Sequence, residues 1–412
     1  MSWKVQLVLW IVLVPVVSGL QPERNSRPEC NFFPRSFAGL QLHDLLKCNN
    51  SQQNMSRQEL NGNHSHSSRS YKTVKVSDVA RQYLRSKWMT LVIPFVYTFV
   101  FTASLPLNFL AILIFLFKLK FTNPTVIYMM NLAVADLLFV LLLPLKISYH
   151  FSGNDWGFGS FVCQLVTGGF YAYMYCSVLL MMCISVDRFL AVVYPIKSSS
   201  WRTRGRVVGL CLIMWLLAIC GALPLFLIEQ TVYVIDLNIT TCHDVLPLSV
   251  LQTYSVYYFP SLCILFFVIP LIVTTVCYGS IISTLHSASM ANQYGKRHAF
   301  FLAIIVLGVF IVCFTPTNII LLIHYLHFFH APSDSLYFVY MPCVCICSVS
   351  CCLDPLIYYY ASSMFQKQLH HLLHSMEVES IQVKKLINKM ETSTPHPWNL
   401  QHVIKENVIN TY

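Results

Sequence analysis

Seven long apolar runs, at roughly 89–117, 125–150, 160–193, 207–228, 254–285, 299–326 and 336–360, alternate with short polar breaks along this chain. Each has the ~20 residues that a helix needs to cross ~30 Å of hydrocarbon. The pattern predicts an all-α membrane protein, a seven-transmembrane helix bundle over 89–360. Shorter patterns flank it. The start, "MSWKVQLVLWIVLVPVVSGLQ", sets Lys4 before an apolar core too short to span a bilayer and follows it with Ser18 and Gly19. That reads as a cleaved secretory signal over 1–19. After the last run, Phe365, Leu369, Leu372, Leu373 and Met376 recur at helical spacing, with Lys367, His370, His371 and His374 facing elsewhere. They predict an amphipathic helix over 361–376 on the inner leaflet, ahead of a cytoplasmic tail over 377–412. The polar stretch before residue 89 has no such period and reads as a disordered extracellular arm.

Composition agrees with the pattern. Of 412 residues, 56% are hydrophobic and 11% charged, against about a quarter charged in soluble domains. The breaks expected inside carry Lys118 and Lys120, then Lys197, Arg202, Arg204 and Arg206, then Lys296 and Arg297. Those expected outside, 151–159, 229–253 and 327–335, hold no Lys or Arg. Positive charge on the inner side puts the N-terminus outside, as the signal does, in a multi-pass plasma-membrane protein. The same asymmetry accounts for most of the net charge of +10 without a nucleic-acid partner. Sequons at Asn49, Asn54, Asn63 and Asn238 all fall on the outer side and mark glycosylation sites.

Of sixteen cysteines, only Cys30, Cys48, Cys163 and Cys242 lie where oxidation can pair them. The run "CVCICSVSCC" (343–352), with no His or carboxylate among its cysteines, reads as helix packing rather than a metal site. Ionisable groups inside the spans are costly and therefore functional candidates. Asp136 and Asp354 lie deep in their runs. With Ser177 and Asn108 they read two ways, as an oxygen cage for a hard cation such as sodium or as satisfied interhelical hydrogen bonds, and the sequence leaves both open. Asp187 and Arg188 sit at the inner end of the third span, where an arginine can swing between its neighbouring acid and a cytosolic partner. Pro224, Pro270, Pro316 and Pro355 each remove a helical hydrogen bond and permit bends.

Together these marks resemble the rhodopsin-like G-protein-coupled receptors: Asn108, "LAVAD" before Leu137, Cys163 with "DRF", Trp215, Pro270 with Tyr278, "CFTPTN" (313–318) and "DPLIY" (354–358). The resemblance covers about 89–375. It is finer still to the protease-activated receptors of the thrombin-receptor branch, through "SLPLN" (104–108), "SVDRFLAVVYP" (185–195), "NITTCHDVL" (238–246) and "SCCLDPLIYYYASS" (350–363). It implies a Cys163–Cys242 disulfide and roles for Asp187, Arg188, Tyr278, Pro316, Asp354, Pro355 and Tyr358 in activation and G-protein coupling. No enzymatic activity is implied.

The resemblance also gives meaning to "FFPRSFAGL" (32–40). A serine protease, thrombin first among candidates, is expected to cut between Arg35 and Ser36. Residues 20–35 are then a propeptide, and the arm over 36–88 begins with a tethered agonist, Ser36, Phe37, Ala38, Gly39 and Leu40. Other basic sites, Arg24, Arg27, Arg57 and Arg69, lack both the preceding proline and the following Ser-Phe pair. Cutting turns the Ser36 amide into an ammonium with a pKa of about 8, a new cation at the first atom of the ligand. Asp244 beside His243 is its expected partner, and Leu246, Tyr325, Tyr337 and Tyr340 are the expected walls for Phe37 and Leu40. The arm's roughly 50 residues give an r.m.s. reach of about 40 Å, enough to cover the outer face. Partners implied are G proteins of the Gq, Gi and G12/13 types, and arrestin.

The chain departs from that pattern in places. No acidic, aromatic run follows the ligand to dock on a protease exosite. Cys30 and Cys48 bracket the cut and would keep the propeptide attached if paired. No cysteine follows residue 361 for palmitoylation. Competing readings are a receptor for a free peptide, an ion or proton translocator built on Asp136 and Asp354, and an intramembrane hydrolase. The absence of an inverted repeat, of a lysine in span seven and of a nucleophile–base set weighs against the last two.

Overall fold

The computed structural model describes residues 38–41, 72–119, 123–247, 256–287, 293–327 and 335–393. Seven helices among them are long and apolar enough to cross a membrane: α1 (Asp78–Leu119), α2 (Pro124–Phe151), α3 (Ser160–Val193), α4 (Arg204–Leu227), α5 (Tyr258–His286), α6 (Ala299–His324) and α7 (Phe338–Ala361). The chain divides at residue 363, and the described residues of the second unit form a long helix, α8 (Ser363–Ser393).

Two helix bounds differ from the hydrophobic pattern, each for a local reason. The first helix starts well before the apolar run, at Asp78, because Ser77 accepts a hydrogen bond from the Ala80 N–H at 3.1 Å and Asp78 lies in the first turn. Asp78 also pairs with Arg81 one turn on. These charged residues hide the extension from a hydropathy reading. The amphipathic helix expected over 361–376 instead runs to Ser393. No Gly or Pro interrupts 361–394, and Val378, Ile381 and Ile387 continue an apolar series past Met376.

The third helix lies at the centre of the bundle, packed against α2, α4 and α5. The helices that ring it turn apolar residues outward at helical spacing: Phe95 and Phe99 on α1, Leu212 and Leu216 on α4, Ile272 and Val276 on α5, all well exposed. In water such faces would demand partners; in a bilayer lipid covers them. Polar bonds then fix the helices to each other. Trp215 donates to Asn131 Oδ1 at 3.0 Å, joining α4 to α2, and Tyr258 donates to the Gly221 carbonyl, joining α5 to α4.

Proline creates the join between α1 and α7. Pro355 has no N–H to offer the Cys351 carbonyl one turn earlier. That carbonyl accepts instead from Ser104 Oγ at 3.0 Å and Asn108 Nδ2 at 2.9 Å. In α6, one turn of π-helix at Phe310–Phe314 precedes Pro316, so two breaks in helical bonding fall together there.

Among the described residues five short strands lie on the outer side: β1 (Ala38–Gln41), β2 (Lys72–Lys75), β3 (Thr231–Val234), β4 (Ile239–Cys242) and β5 (Leu246–Pro247). Their order is β4-β3-β2-β1-β5. β3 and β4 form an antiparallel hairpin whose turn holds Asn238 at φ 55°, a left-handed position that asparagine tolerates better than most residues. β2 runs parallel to β3, and β1 runs antiparallel to β2 and parallel to β5. Two of these strands come from the arm whose composition reads as disordered.

Candidate functional site

The second outer loop is held to the bundle by a covalent pin. Cys163, at the start of α3, forms a disulfide with Cys242, at the end of β4, with Cα atoms 5.7 Å apart. Trp156 and Tyr149 pack around it, their rings edge to face at 5.6 Å. The Trp156 N–H donates to the Thr240 carbonyl at 2.7 Å, and the Thr240 N–H donates to Asp155 Oδ1 at 2.8 Å. With β4 so fixed, His243 and Asp244 are carried over the mouth of the bundle.

There they meet an outer cavity of about 50 Å³, lined by Lys146, Tyr171, His243, Asp244, Tyr340 and Met341 among others. This space takes a few waters and is far too small for a pentapeptide. Across it, the hydroxyls of Tyr171 and Tyr340 lie 2.8 Å apart in a hydrogen bond between α3 and α7. Asp244 is 4% exposed, and Tyr149 donates to its Oδ2 at 2.5 Å. A buried carboxylate of this kind needs partners and rewards a cation. His243 Nδ1 lies 2.9 Å from Gln230 Oε1, and its Nε2 lies 3.4 Å from the Tyr171 hydroxyl. Burial lowers the His243 imidazole to about 4, with Lys146 pushing the same way and Asp244 opposing. The ring is therefore neutral at physiological pH.

Of the expected ligand contacts, His243, Asp244 and Tyr340 come together at this cavity. Tyr325 and Tyr337 lie on described helices and Leu246 on β5, but their side chains fall outside the described residues. So do Arg35, Ser36, Phe37, Cys30, Cys48, Asn49, Asn54 and Asn63. Ala38, Gly39 and Leu40 are described as backbone, in β1. Asn238 is exposed on its hairpin turn, accessible to a glycan. Lys146, Tyr149 and Tyr171 join the site without being marked for it in the sequence. The signal for Lys146 is that it is an ionisable residue within span two, as Asp136 is; the two tyrosines carry no mark that separates them from interface anchors.

A second polar cluster lies midway through the bundle. Asp136 and Asp354 are both fully buried and interact with each other. Tyr358 donates to Asp136 Oδ2 at 3.0 Å. Asp136 Oδ1, both oxygens of Asp354 and Ser177 Oγ meet no hydrogen-bond partner among the described residues. Among the described residues no other side chain donates to these four buried oxygens, while the two carboxyls lie within hydrogen-bonding reach of each other; oxygens are the ligands that a hard cation takes. Asn108, the other proposed oxygen, is occupied with Ser104, Cys351 and Tyr358 instead.

The third cluster is at the inner end. Asp187 accepts from Arg202 Nε at 2.7 Å and Nη2 at 2.9 Å, a two-pronged bond, and from Thr125 Oγ1 at 2.7 Å. Arg188 reaches the same carboxylate at 3.3 Å and also contacts Thr125. The sequence places Asp187 as the acid beside Arg188, yet the two-pronged bond to that carboxylate comes from an arginine of the loop after α3. Arg202 reads as one more inner-side positive charge until its position is seen. Tyr278, buried on α5, interacts with Arg188 and Ser185.

The sequence matches the family described as "7 transmembrane receptor (rhodopsin family)" over residues 107–358. It is 56% identical over 299 residues to Proteinase-activated receptor 1 of Cricetulus longicaudatus, covering 72% of this chain and 70% of that one. Against Proteinase-activated receptor 1 of Homo sapiens it is 54% identical over 299 residues, with the same shares. Against Proteinase-activated receptor 2 of Rattus norvegicus it is 40% identical over 309 residues, 74% of this chain and 77% of that one.

Proposed function

This chain belongs to the rhodopsin family of seven-transmembrane receptors, and within it to the proteinase-activated receptors; from that premise we propose the residues through which a protease signal enters and leaves it. The protein is a plasma-membrane receptor that couples to G proteins, and not an enzyme. Thrombin, which favours Pro-Arg before the cut, cleaves Arg35–Ser36 and leaves Ser36 as the new N-terminus of a tethered SFAGLQ agonist.

The observation that carries this reading is Asp244, a buried carboxylate held by Tyr149 at the outer cavity. A buried anion at the outer mouth attracts an ammonium, and only the cut chain has one at Ser36. Phe37 and Leu40 add apolar contact near Tyr325, Tyr337, Tyr340 and Leu246. Tethering raises the local ligand concentration toward the millimolar range, so a weak pentapeptide suffices. Because the closed cavity cannot take the ligand, binding must part α3 from α7 at Tyr171–Tyr340, and only a state so opened is favoured. The motion reaches the inner side through α6, bending at its π-turn and Pro316, and frees Arg188 for a G protein of the Gq, Gi or G12/13 type, with arrestin following. N-terminal sequencing of the receptor after thrombin, with calcium release recorded in parallel, tests the reading: a new terminus at Ser36 appearing with the signal supports it, and a signal without that terminus rejects it.

The four unmet oxygens favour one further assignment, a sodium ion between Asp136, Ser177 and Asp354. A cation there would hold α2, α3 and α7 together in the resting state and weaken agonist binding.

A further inference from the structure

Among the described residues, the ligand segment of the uncut chain already occupies a place in the sheet. Ala38–Gln41 forms β1, with Leu40 opposite Lys75 and Gln41 opposite Val74 on one side, and Ala38 opposite Leu246 and Gly39 opposite Pro247 on the other. We propose that Lys72–Lys75 and Leu246–Pro247 form a binding slot for extended peptide backbone, and that Ala38–Gln41 fills it before any cleavage. This rests on the reading of Ser36–Leu40 as the agonist and adds the site where its latter half is held.

β2 is paired on its other face to β3, and the Val74 carbonyl accepts from the Ile235 N–H at 3.1 Å. With β1 removed, β2 and β5 would each turn a row of N–H and C=O groups toward a gap about two strand spacings wide, roughly 10 Å. One extended chain fills such a gap, bonding on both edges. Recognition of this kind draws its affinity from main-chain hydrogen bonds and asks little of side chains, which suits a segment beginning Ala38-Gly39. Proline has no N–H and belongs at an edge such as β5, and the parallel pairing closes on it at Gly39, the end away from Ser36. The described pairing begins at Ala38, so Ser36 and Phe37 precede the slot in the chain. Both its walls are anchored, β2 by leading into Ser77 and the capped start of α1, β5 by following Cys242 and its disulfide.

Cleavage, on this view, does not set a ligand searching on a long leash. Its rear is already docked, and the cut releases only the two residues in front to swing onto Asp244. A free SFAGLQ peptide, by contrast, must displace the receptor's own strand.

Cross-linking in the full-length receptor tests this. The background carries Arg35→Gln, with Cys30 and Cys48 replaced by Ser and a specific protease site inserted between residues 60 and 61. In-register pairs are Leu40→Cys with Lys75→Cys and Gln41→Cys with Val74→Cys; opposed residues in a ladder lie ~4.5–5.5 Å apart, within disulfide range. Leu40→Cys with Thr73→Cys, displaced by two residues, is the control. After the inserted site is cut, the proposal expects an N-terminal epitope tag to stay on the cell surface for the in-register pairs until reductant is added, and to leave at once for the control. Release from every pair, or equal retention in the control, overturns it, provided the single-cysteine receptors reach the surface and answer SFAGLQ. A second measurement needs no cysteine: Leu40→Pro removes a ladder N–H and empties the slot, so free SFAGLQ gains potency several-fold, and unchanged potency contradicts the proposal. Thrombin signalling at an intact Arg35 remains a separate result: if it persists while no cross-link forms, only the slot is lost.

Discussion

Tyr149 donates its hydroxyl to Asp244 at 2.5 Å, both side chains buried beside the disulfide that pins the outer loop. The bond aims the carboxylate at the cavity. A hydrogen bond to a charged group is worth about 1.5–3 kcal/mol, so Tyr149→Phe should cost SFAGLQ roughly ten- to a hundredfold in potency. Asp244→Asn, which removes the anion itself, should cost more. Calcium dose–response curves corrected for surface expression give the comparison, and equal potency for Asp244→Asn and the unmodified receptor would remove Asp244 from the ligand site.

His243 supplies a pH dependence. Its imidazole is lowered by burial from 6.5 to about 4, so the folded loop holds it neutral. Between those values the unfolded or opened loop binds a proton that the folded one does not, and stability falls as pH drops through that window. A protonated ring beside the ligand ammonium would add repulsion in the same direction. Agonist binding should be level from pH 7.4 to about 6.5 and weaken toward 5. In His243→Gln the part of that decline due to the imidazole should vanish.

At the inner end, Arg202 grips Asp187 with bonds of 2.7 and 2.9 Å, against 3.3 Å from Arg188, and so leaves Arg188 less tightly held. Removing it by Arg202→Ala should let Asp187 turn fully to Arg188. Basal inositol phosphate production should fall, whereas Asp187→Asn should raise it. A rise in Arg202→Ala would mean that Arg202 restrains the resting state directly.

For the midplane carboxylates, sodium should lower agonist affinity, measured against a matched concentration of a bulky organic cation. Asp354→Asn should abolish the difference, because both unmet oxygens of that residue belong to the proposed cage. An equal sodium effect in the variant would place the ion elsewhere.

Much of the bundle is legible in the sequence, because lipid imposes one rule on every span. Apolar length marks the seven helices, and the scarcity of charge inside them singles out Asp136, Asp354 and Asp187. What the rule hides is whatever breaks it locally: the start of α1 lies under charged residues such as Asp78 and Arg81, and α8 continues past Met376 on a weaker apolar series. The partnerships of the sites are hidden too. Nothing in the spacing of Tyr149 and Asp244, 95 residues apart, announces that they meet, and Arg202 is one basic residue among several until α3 and its following loop bring it onto Asp187. The arm is the sharpest case. Ala38–Gln41 and Lys72–Lys75 are too short and too polar to read as strands, and only pairing with the outer loop makes them so.

The central claim is that peptide-bond cleavage at Arg35–Ser36 creates the agonist. Its most direct test is the Arg35→Gln receptor, displayed at normal surface density and given thrombin and then synthetic SFAGLQ while cytosolic calcium is followed. The account predicts silence to thrombin and a full response to the peptide; an undiminished thrombin response from this uncleavable receptor would contradict it.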